Sequence, residues 1–421
     1  MGRAPLPEVG MEPELTTPFN LFDAGFVLDP HPYLQELRRN ASVHHDPTTG
    51  LWLVSRYADV RRILLDPVTY RPDNAQHAVA PLSMQALRTL ARVGFRLPPA
   101  LANNGGADHA GLRRIVTRFF NGKRVAAAEP VMEETAQALL ASLHDRYASG
   151  AACDLASEYA RFLPCRVMMQ MLGVVDVSPS KLVTWSDAAL ELFYGWPSAE
   201  RQTYLAELVA DFYQWLTARV TDAAPEDSLI GVLREHRLDD GKPLDPATAV
   251  AVCFFVFIAG QSTTGQLIST VLRHALADRH AWARAADDGA FTAAWVEEVL
   301  RREPPVISWR RITARDVKLS GVRLPAGAQL LLMLMGTGSD PEVFEEPERM
   351  CPNRANARHH LSFGVGRHRC PGATLARVEA GVALRAAARM MPDAMLTEAT
   401  DPPMLGLLSF RAPLRVAVRR D

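Results

Sequence analysis

The sequence predicts a mainly α-helical protein with small β-sheets, and three observations carry that prediction. Residues 245–278 hold a helical pattern that would span roughly 50 Å at 1.5 Å per residue, a length useful only to a helix that crosses the whole molecule. Residues 373–390 form an alanine-rich helical stretch directly behind a glycine-closed loop. Strand-like alternation is confined to short segments within residues 43–54 and 317–335.

Composition narrows the class. The chain has 421 residues, 48% of them hydrophobic, enough for a sizeable core. Residues 1–18, rich in Pro and Glu, read as a flexible segment, and residues 19–421 as one domain. The formal net charge is -1 with no long run of one sign, which argues against a nucleic-acid partner. Five cysteines without paired spacing argue for a reducing compartment rather than a disulfide framework. The N-terminus lacks the basic start and apolar run of a signal peptide. The longest apolar run, residues 250–260, falls short of the ~20 residues that span a bilayer. A cytoplasmic protein with no membrane partner is therefore expected.

Taken in order, residues 31–39 start a short helix with Pro32 in its first turn. Residues 43–54 alternate around Thr48-Thr49-Gly50, a hairpin signal, and residues 57–65 read as a helix. Residues 71–107 read as irregular, a candidate lid or pocket wall. Residues 108–120 form a helix that sets His109 and Arg113 on one face, four apart. Residues 130–237 are mostly helical, with breaks near Gly150, Gly173, Pro197 and Pro225. The aromatic-rich residues 190–197 suit either a core or an access route.

Asp245 caps the long helix and Pro246 opens it. Residues 249–259 are apolar nearly all round, so this half is buried. In its middle stands Ala259-Gly260-Gln261-Ser262-Thr263-Thr264-Gly265. A mid-helix Gly costs ~1 kcal/mol relative to Ala, which points to a close neighbour or a local bulge. Further on, Glu298 and Arg301 are adjacent at i,i+3. Residues 304–309 are extended, because Pro disfavours helix before it. Pro325-Ala326-Gly327 marks a turn between short strands, and residues 337–360 meander. Cys351, His359, His360, His368 and Cys370 lack the spacing of compact zinc motifs.

The stretch with most chemistry is Phe363-Gly364-Val365-Gly366-Arg367-His368-Arg369-Cys370-Pro371-Gly372. Its glycines permit backbone angles closed to other residues and let a flat ligand approach. Amides aimed at the sulfur, and the helix beginning behind it, would favour a thiolate, a soft ligand for iron. A lone cysteine is otherwise an inert buried residue.

This stretch fills every fixed position of Phe-Gly-x-Gly-x-His-x-Cys-x-Gly and so resembles the haem-binding signature of the cytochrome P450 family, soluble bacterial type. The resemblance runs through nearly the whole chain. It implies haem b between the long helix and the loop, with the Cys370 thiolate as metal ligand. It implies that Phe363, Gly364, Gly372, Ala259 and Gly260 line the cofactor, and that His109, Arg113, Arg311 and His368 hold its propionates. The family's proline-containing lead into this His is replaced here by Gly105-Gly106-Ala107-Asp108. Glu298 and Arg301 resemble a structural ion-pair triad completed by Arg349. Thr263 sits where oxygen binds, but the family's usual acid beside it is Ser262. Serine passes a proton yet supplies none at neutral pH, so Ser262 implies proton delivery rerouted through water, Gln261 or the substrate, or else a tolerated variant. Phe255, Ile258, Val306 and Trp309 are implied pocket residues, with a final hairpin near residues 402–406 dipping in. Two electrons would come through a ferredoxin and its NAD(P)H-dependent reductase, docking on Arg61, Arg62, Arg114, Arg118 and Arg369.

Three functions follow from the resemblance. The first is monooxygenation of a small, mostly apolar secondary metabolite with O2. The second is oxidative C–C or C–N coupling, without oxygen insertion, of an aromatic or cyclic-dipeptide (diketopiperazine) substrate, suggested by Ser262. The third is a non-catalytic haem sensor, which the hydroxyl-bearing helix argues against.

Overall fold

The computed structural model describes residues 20–222, 228–238, 241–398 and 401–421. The expectations placed on residues 1–18 and on a break near Pro225 lie outside the described residues.

The central helix is Pro246–Ala277. It starts where predicted: the Asp245 carboxylate accepts from the Ala247 amide at 3.3 Å, and Pro246 needs no amide partner there. It stops at Asp278, whose carboxylate caps the next helix, Arg279–Ala285, through the His280 and Ala281 amides. By length and apolarity this helix matches a membrane span. It is instead enclosed by helices Phe162–Met171, Pro179–Tyr194, Ala199–Thr221, Gly289–Arg302 and Ala373–Met390. Residues 249–254 are all buried, as an all-round apolar pattern requires.

The mid-helix glycine has a close neighbour. A Cβ on Gly260 would lie 2.6 Å from Cε of Met168, so the glycine lets helix Phe162–Met171 approach. A turn later, a Cβ on Gly265 would meet the Ala160 carbonyl at 3.0 Å and the Arg161 Cα at 3.4 Å. Ala160 ends a π-helical turn, Ala156–Ala160, that leads into the same neighbouring helix.

The β structure is small, as expected. Its largest sheet has five short strands in the order Val43–His45, Trp52–Val54, Gln329–Leu332, Trp309–Thr313, Tyr70–Arg71. The predicted hairpin pairs Val43 with Val54 and His45 with Trp52, with Gly50 at φ 71°. Residues 71–107 depart from expectation by containing the helix Met84–Arg92. Its signal was the Ser83 cap, which accepts from the Ala86 amide at 3.2 Å, and it buries Ala86 and Leu90 against Ala199–Thr221.

The ion-pair triad also departs from expectation. Glu298 and Arg301 are fully buried and bonded at 2.8 and 2.9 Å. The third member is Arg354, whose Nε donates to Glu298 Oε1 at 3.0 Å. Arg349 pairs instead with exposed Glu346 at 3.1 Å and lends the network only its backbone carbonyl, which accepts from Arg301 and Arg354. The chain folds back between Cys351 and Arg354, where the Arg354 amide donates to the Cys351 carbonyl at 3.0 Å, and no sequence spacing announces that reversal. The neighbouring Glu297 joins Arg377 and His360 at 2.7 and 3.0 Å. Burial acts to raise Glu297, but the Arg377 and His360 bonds prevail and hold it at about 2.

Glu379, on helix Ala373–Met390, is the opposite case. It is fully buried and neither carboxyl oxygen has a hydrogen-bond partner. Burial raises its carboxyl well above 4.5, so the folded protein keeps a proton that the unfolded chain releases. Stability from this group is full below pH 4.5 and declines as pH rises toward the folded value. Glu379→Gln, which cannot ionise, is expected to melt at a higher temperature than the parent at pH 8. The gap is expected to close toward pH 4.5. Thermal unfolding across that range checks it.

Candidate functional site

The site begins with the cysteine loop. Gly364 and Gly366 adopt φ 64° and 77°, angles that side chains resist. They close the loop so that the Gly364 amide donates to the Leu361 carbonyl and the Cys370 amide to the Phe363 carbonyl, both at 2.8 Å. The Phe363 ring is capped by the Arg377 guanidinium at 4.5 Å. The Gly372 amide, of the kind the sequence suggested, and the guanidinium groups of Arg113, Arg377 and Arg369 lower the Cys370 thiol. Burial is the larger effect, and the balance leaves the thiol above its ordinary value. The protein alone therefore favours the thiol, and a bound metal ion would supply the missing drive to thiolate.

Around the loop the expected polar groups converge. The His109 and His368 rings lie 4.6 Å apart. His109 Nδ1 accepts from Arg367 Nε at 3.1 Å, and His368 Nε2 donates to the Asn104 carbonyl at 3.0 Å. His109 Nε2 and His368 Nδ1 are both buried without a partner. Burial first, then neighbouring cations, lowers each imidazole to about 4. Arg113 donates to the Arg369 carbonyl. Arg311 is 2% exposed and its side chain bonds only the Arg310 carbonyl among the described residues, at 2.8 Å, leaving its Nε unpartnered. Burial lowers this guanidinium to about 10. A buried guanidinium with no carboxylate partner is costly unless an anion meets it. These orphaned groups fit the propionates of a haem, and the thiol beside them fits its iron.

The central helix gives the other wall. Ala259 is exposed and Gly260, Ser262 and Thr263 are intermediate, whereas Ile258, Gln261, Thr264 and Gly265 are buried. Ala259, Ser262 and Thr263, small or hydroxyl-bearing, thus line an accessible face of a largely buried helix, as a flat cofactor requires. The Thr263 hydroxyl donates to the Ala259 carbonyl at 2.7 Å, so its oxygen is left to accept. Gln261 turns the other way: its Nε2 donates to the Leu182 carbonyl at 3.3 Å and to the Ser186 hydroxyl. It tethers helix Pro179–Tyr194 rather than facing the accessible side.

Of the expected pocket residues, Val306 bridges to Phe410, and Trp309 stacks on Tyr194 with centroids 6.2 Å apart. Tyr194 belongs to the aromatic stretch read as core or access route, and it meets Phe410 edge-on at 4.9 Å. The C-terminal turn closes through Met404–Pro413 and Leu407–Phe410 bridges. Phe255 is half-buried beside Phe254, and Ile258 is buried. Sequence reasoning missed Phe95, which gathers Phe193, Tyr213 and Phe254 within 6.3 Å. Its only signal was an aromatic among the polar residues of the 71–107 stretch.

Arg61, Arg62, Arg114, Arg118 and Arg369 are exposed and have no ion-pair partner among the described residues. Arg114 and Arg118 border a groove with His109, Arg113 and Arg367, on the outer side of the cysteine loop.

Fold and site together define a prosthetic-group enzyme in which a cysteine loop and a long helix close on a flat cofactor. Comparison with known proteins agrees. The family profile described as Cytochrome P450 matches residues 274–387. The chain is 30% identical over 386 residues to Cytochrome P450 107B1 of Saccharopolyspora erythraea, covering 90% of this chain and 92% of that protein. It is 31% identical over 378 residues to Vitamin D(3) 25-hydroxylase of Pseudonocardia autotrophica, covering 88% of each. It is 29% identical over 379 residues to Cyclomarin C epoxidase CymV of Salinispora arenicola, covering 88% of this chain and 90% of that one. Among solved structures, cytochrome P450 CREJ in complex with (4-ethylphenyl) dihydrogen phosphate superposes with a TM-score of 0.89 at 27% identity, over 96% of this chain and 99% of that one. The chain belongs to the cytochrome P450 family. It is a haem-dependent enzyme of the monooxygenase type, working with O2, a substrate and redox partners.

Proposed function

We propose that this enzyme inserts oxygen into a small, mostly apolar secondary metabolite, using haem b and two electrons from a ferredoxin and its NAD(P)H-dependent reductase, in the cytoplasm, with residues 19–421 acting as one haem domain. The observation that carries the reading is the convergence on the Cys370 loop of the Arg311 guanidinium and the His109 and His368 imidazoles, each with one buried nitrogen unpartnered, together with the hydroxyl-lined central helix. Cys370 would ligate the iron, and Phe363, Gly364, Gly372, Ala259 and Gly260 would bound the haem. His109, Arg113, Arg311 and His368 would hold the propionates. When bound, the haem supplies dioxygen activation, favoured by electron density from the thiolate. The protein's own residues bind, orient and exclude water. Phe255, Ile258, Val306 and Trp309, with Tyr194 and Phe410, offer an apolar wall to the substrate. Thr263 offers an acceptor oxygen on the accessible face. The five exposed arginines near the loop suit an acidic electron donor.

Ser262 favours a second reading, oxidative coupling of an aromatic or diketopiperazine substrate, because such a reaction draws less on protons delivered along the helix. Product mass separates the two. A metabolite panel that includes diketopiperazines, first screened for substrate-induced spin-state change, is expected to give a product heavier by one oxygen. A product lighter by two hydrogens overturns the first reading in favour of the second.

A further inference from the structure

We propose that Asp187, on the helix beside the central one, donates protons through Ser262 and so replaces the acid that position 262 lacks. The inference rests on the haem-monooxygenase reading above.

Three contacts place Asp187. Its neighbour Ser186 accepts a hydrogen bond from Gln261, which fixes helix Pro179–Tyr194 against the central helix at that level. Its own Oδ2 meets Arg161. The Arg161 backbone in turn lies against Gly265. The Arg161–Asp187 pair therefore bridges the two elements that grip the central helix at Gln261 and at Gly265. Residues advance about 100° per position around a helix. Ser262 accordingly points between the Gln261–Gly265 face, spanned by the ion pair, and the Ala259–Thr263 face, where the cofactor fits. Its side chain is partly accessible, whereas Thr264, on the opposite arc between those faces, is buried.

Asp187 also suits the task chemically. Protein crowds it, and that burial lifts its carboxyl to about 6 against the pull of Arg161, with Glu191 adding to the rise. Yet 46% of its side-chain surface remains open, so bulk water can recharge it. A carboxyl that titrates close to neutrality is a far better proton donor than an ordinary aspartate. Its acidic neighbour Glu191 is held by Arg201 through two bonds of 2.6 and 2.8 Å. Asp187 Oδ1 has no hydrogen-bond donor among the described residues.

The step balances simply. The Asp187 carboxylic acid releases a proton that water carries to the Ser262 oxygen. Ser262 gives up its own hydroxyl proton on the accessible side. Asp187 remains as a carboxylate beside Arg161 and is reprotonated from bulk water. Nothing is oxidised or reduced in this relay. One turnover consumes two such protons with the two donor electrons, as one oxygen atom enters the substrate and the other leaves as water.

Asp187→Asn tests it. The substrate-free parent is expected to show a protonated-carboxyl C=O infrared band that titrates near pH 6 and vanishes in Asp187→Asn. Arg161→Gln is expected to move that midpoint upward. Product formation in Asp187→Asn should fall on the order of a hundredfold, with electrons diverted to hydrogen peroxide. Ser262→Asp in the Asp187→Asn background should restore it. The reduced, carbon monoxide-treated Soret band should be unchanged throughout. If Asp187→Asn keeps that band and couples electrons to product with the parent's pH profile, the proposal fails and the haem reading stands. An Asp187→Asn protein that merely melts earlier, with the infrared band intact, also overturns it. A parent without the carbon monoxide band overturns the haem reading itself.

Discussion

Cys370→Ala is expected to yield a folded protein that has lost the strongly red-shifted Soret band of its reduced, carbon monoxide-treated form, with turnover no higher than that of free haem. The sulfur is the only soft donor in the loop. Its position is fixed by the Cys370 amide bond to the Phe363 carbonyl at 2.8 Å and by two glycines at positive φ. None of these backbone features needs the side chain, so the loop should survive its removal. Replacing one half-buried cysteine by alanine costs about 1 kcal/mol, well inside a total stability of ~5–15 kcal/mol. The fold and the spectrum should therefore separate: circular dichroism and melting close to the parent, the band absent. A variant that keeps the shifted band removes Cys370 from its role and the proposed function with it.

Arg301→Ala is expected to have the largest effect on stability. Both partners of the Glu298–Arg301 pair are fully buried. Arg301 donates as well to the carbonyls of Gly338, Pro347 and Arg349, and lies 5.3 Å above the Phe344 ring. Removing the guanidinium strands a buried carboxylate that, among the described residues, only Arg354 and the Cys351 amide still meet. Breaking such a pair from one side costs about 3–5 kcal/mol, a large share of the whole stability. Arg301→Lys should rescue little, since a single ammonium cannot reproduce the two-pronged bond. Arg349→Ala provides the contrast, because its exposed pair with Glu346 contributes about 0–1 kcal/mol. Urea midpoints of the three variants test the order. An Arg349→Ala protein as unstable as Arg301→Ala would restore Arg349 to the triad.

What the sequence by itself determined are the features written locally. The central helix starts at Asp245-Pro246 because a cap and a first-turn proline act within four residues. The 43–54 hairpin and the closed loop around Cys370 follow from glycines at positions that need positive φ. The mid-helix Gly260 announced a close neighbour, though not which one.

Everything that depends on where distant segments meet was left to the tertiary structure. Met168 as the neighbour of Gly260, Arg354 in place of Arg349, and Gln261 turned toward Ser186 are all contacts between separate elements. The balance at Cys370 was decided there too, because burial depends on everything packed around a sulfur, whereas the amides that oppose it are its sequence neighbours. The Arg161–Asp187 bridge belongs to the same class: its residues are 26 apart, and only packing against one helix brings them together. Local sequence fixes dihedral angles and caps over a few residues, but the partner of a buried charge is chosen by the packing of whole helices.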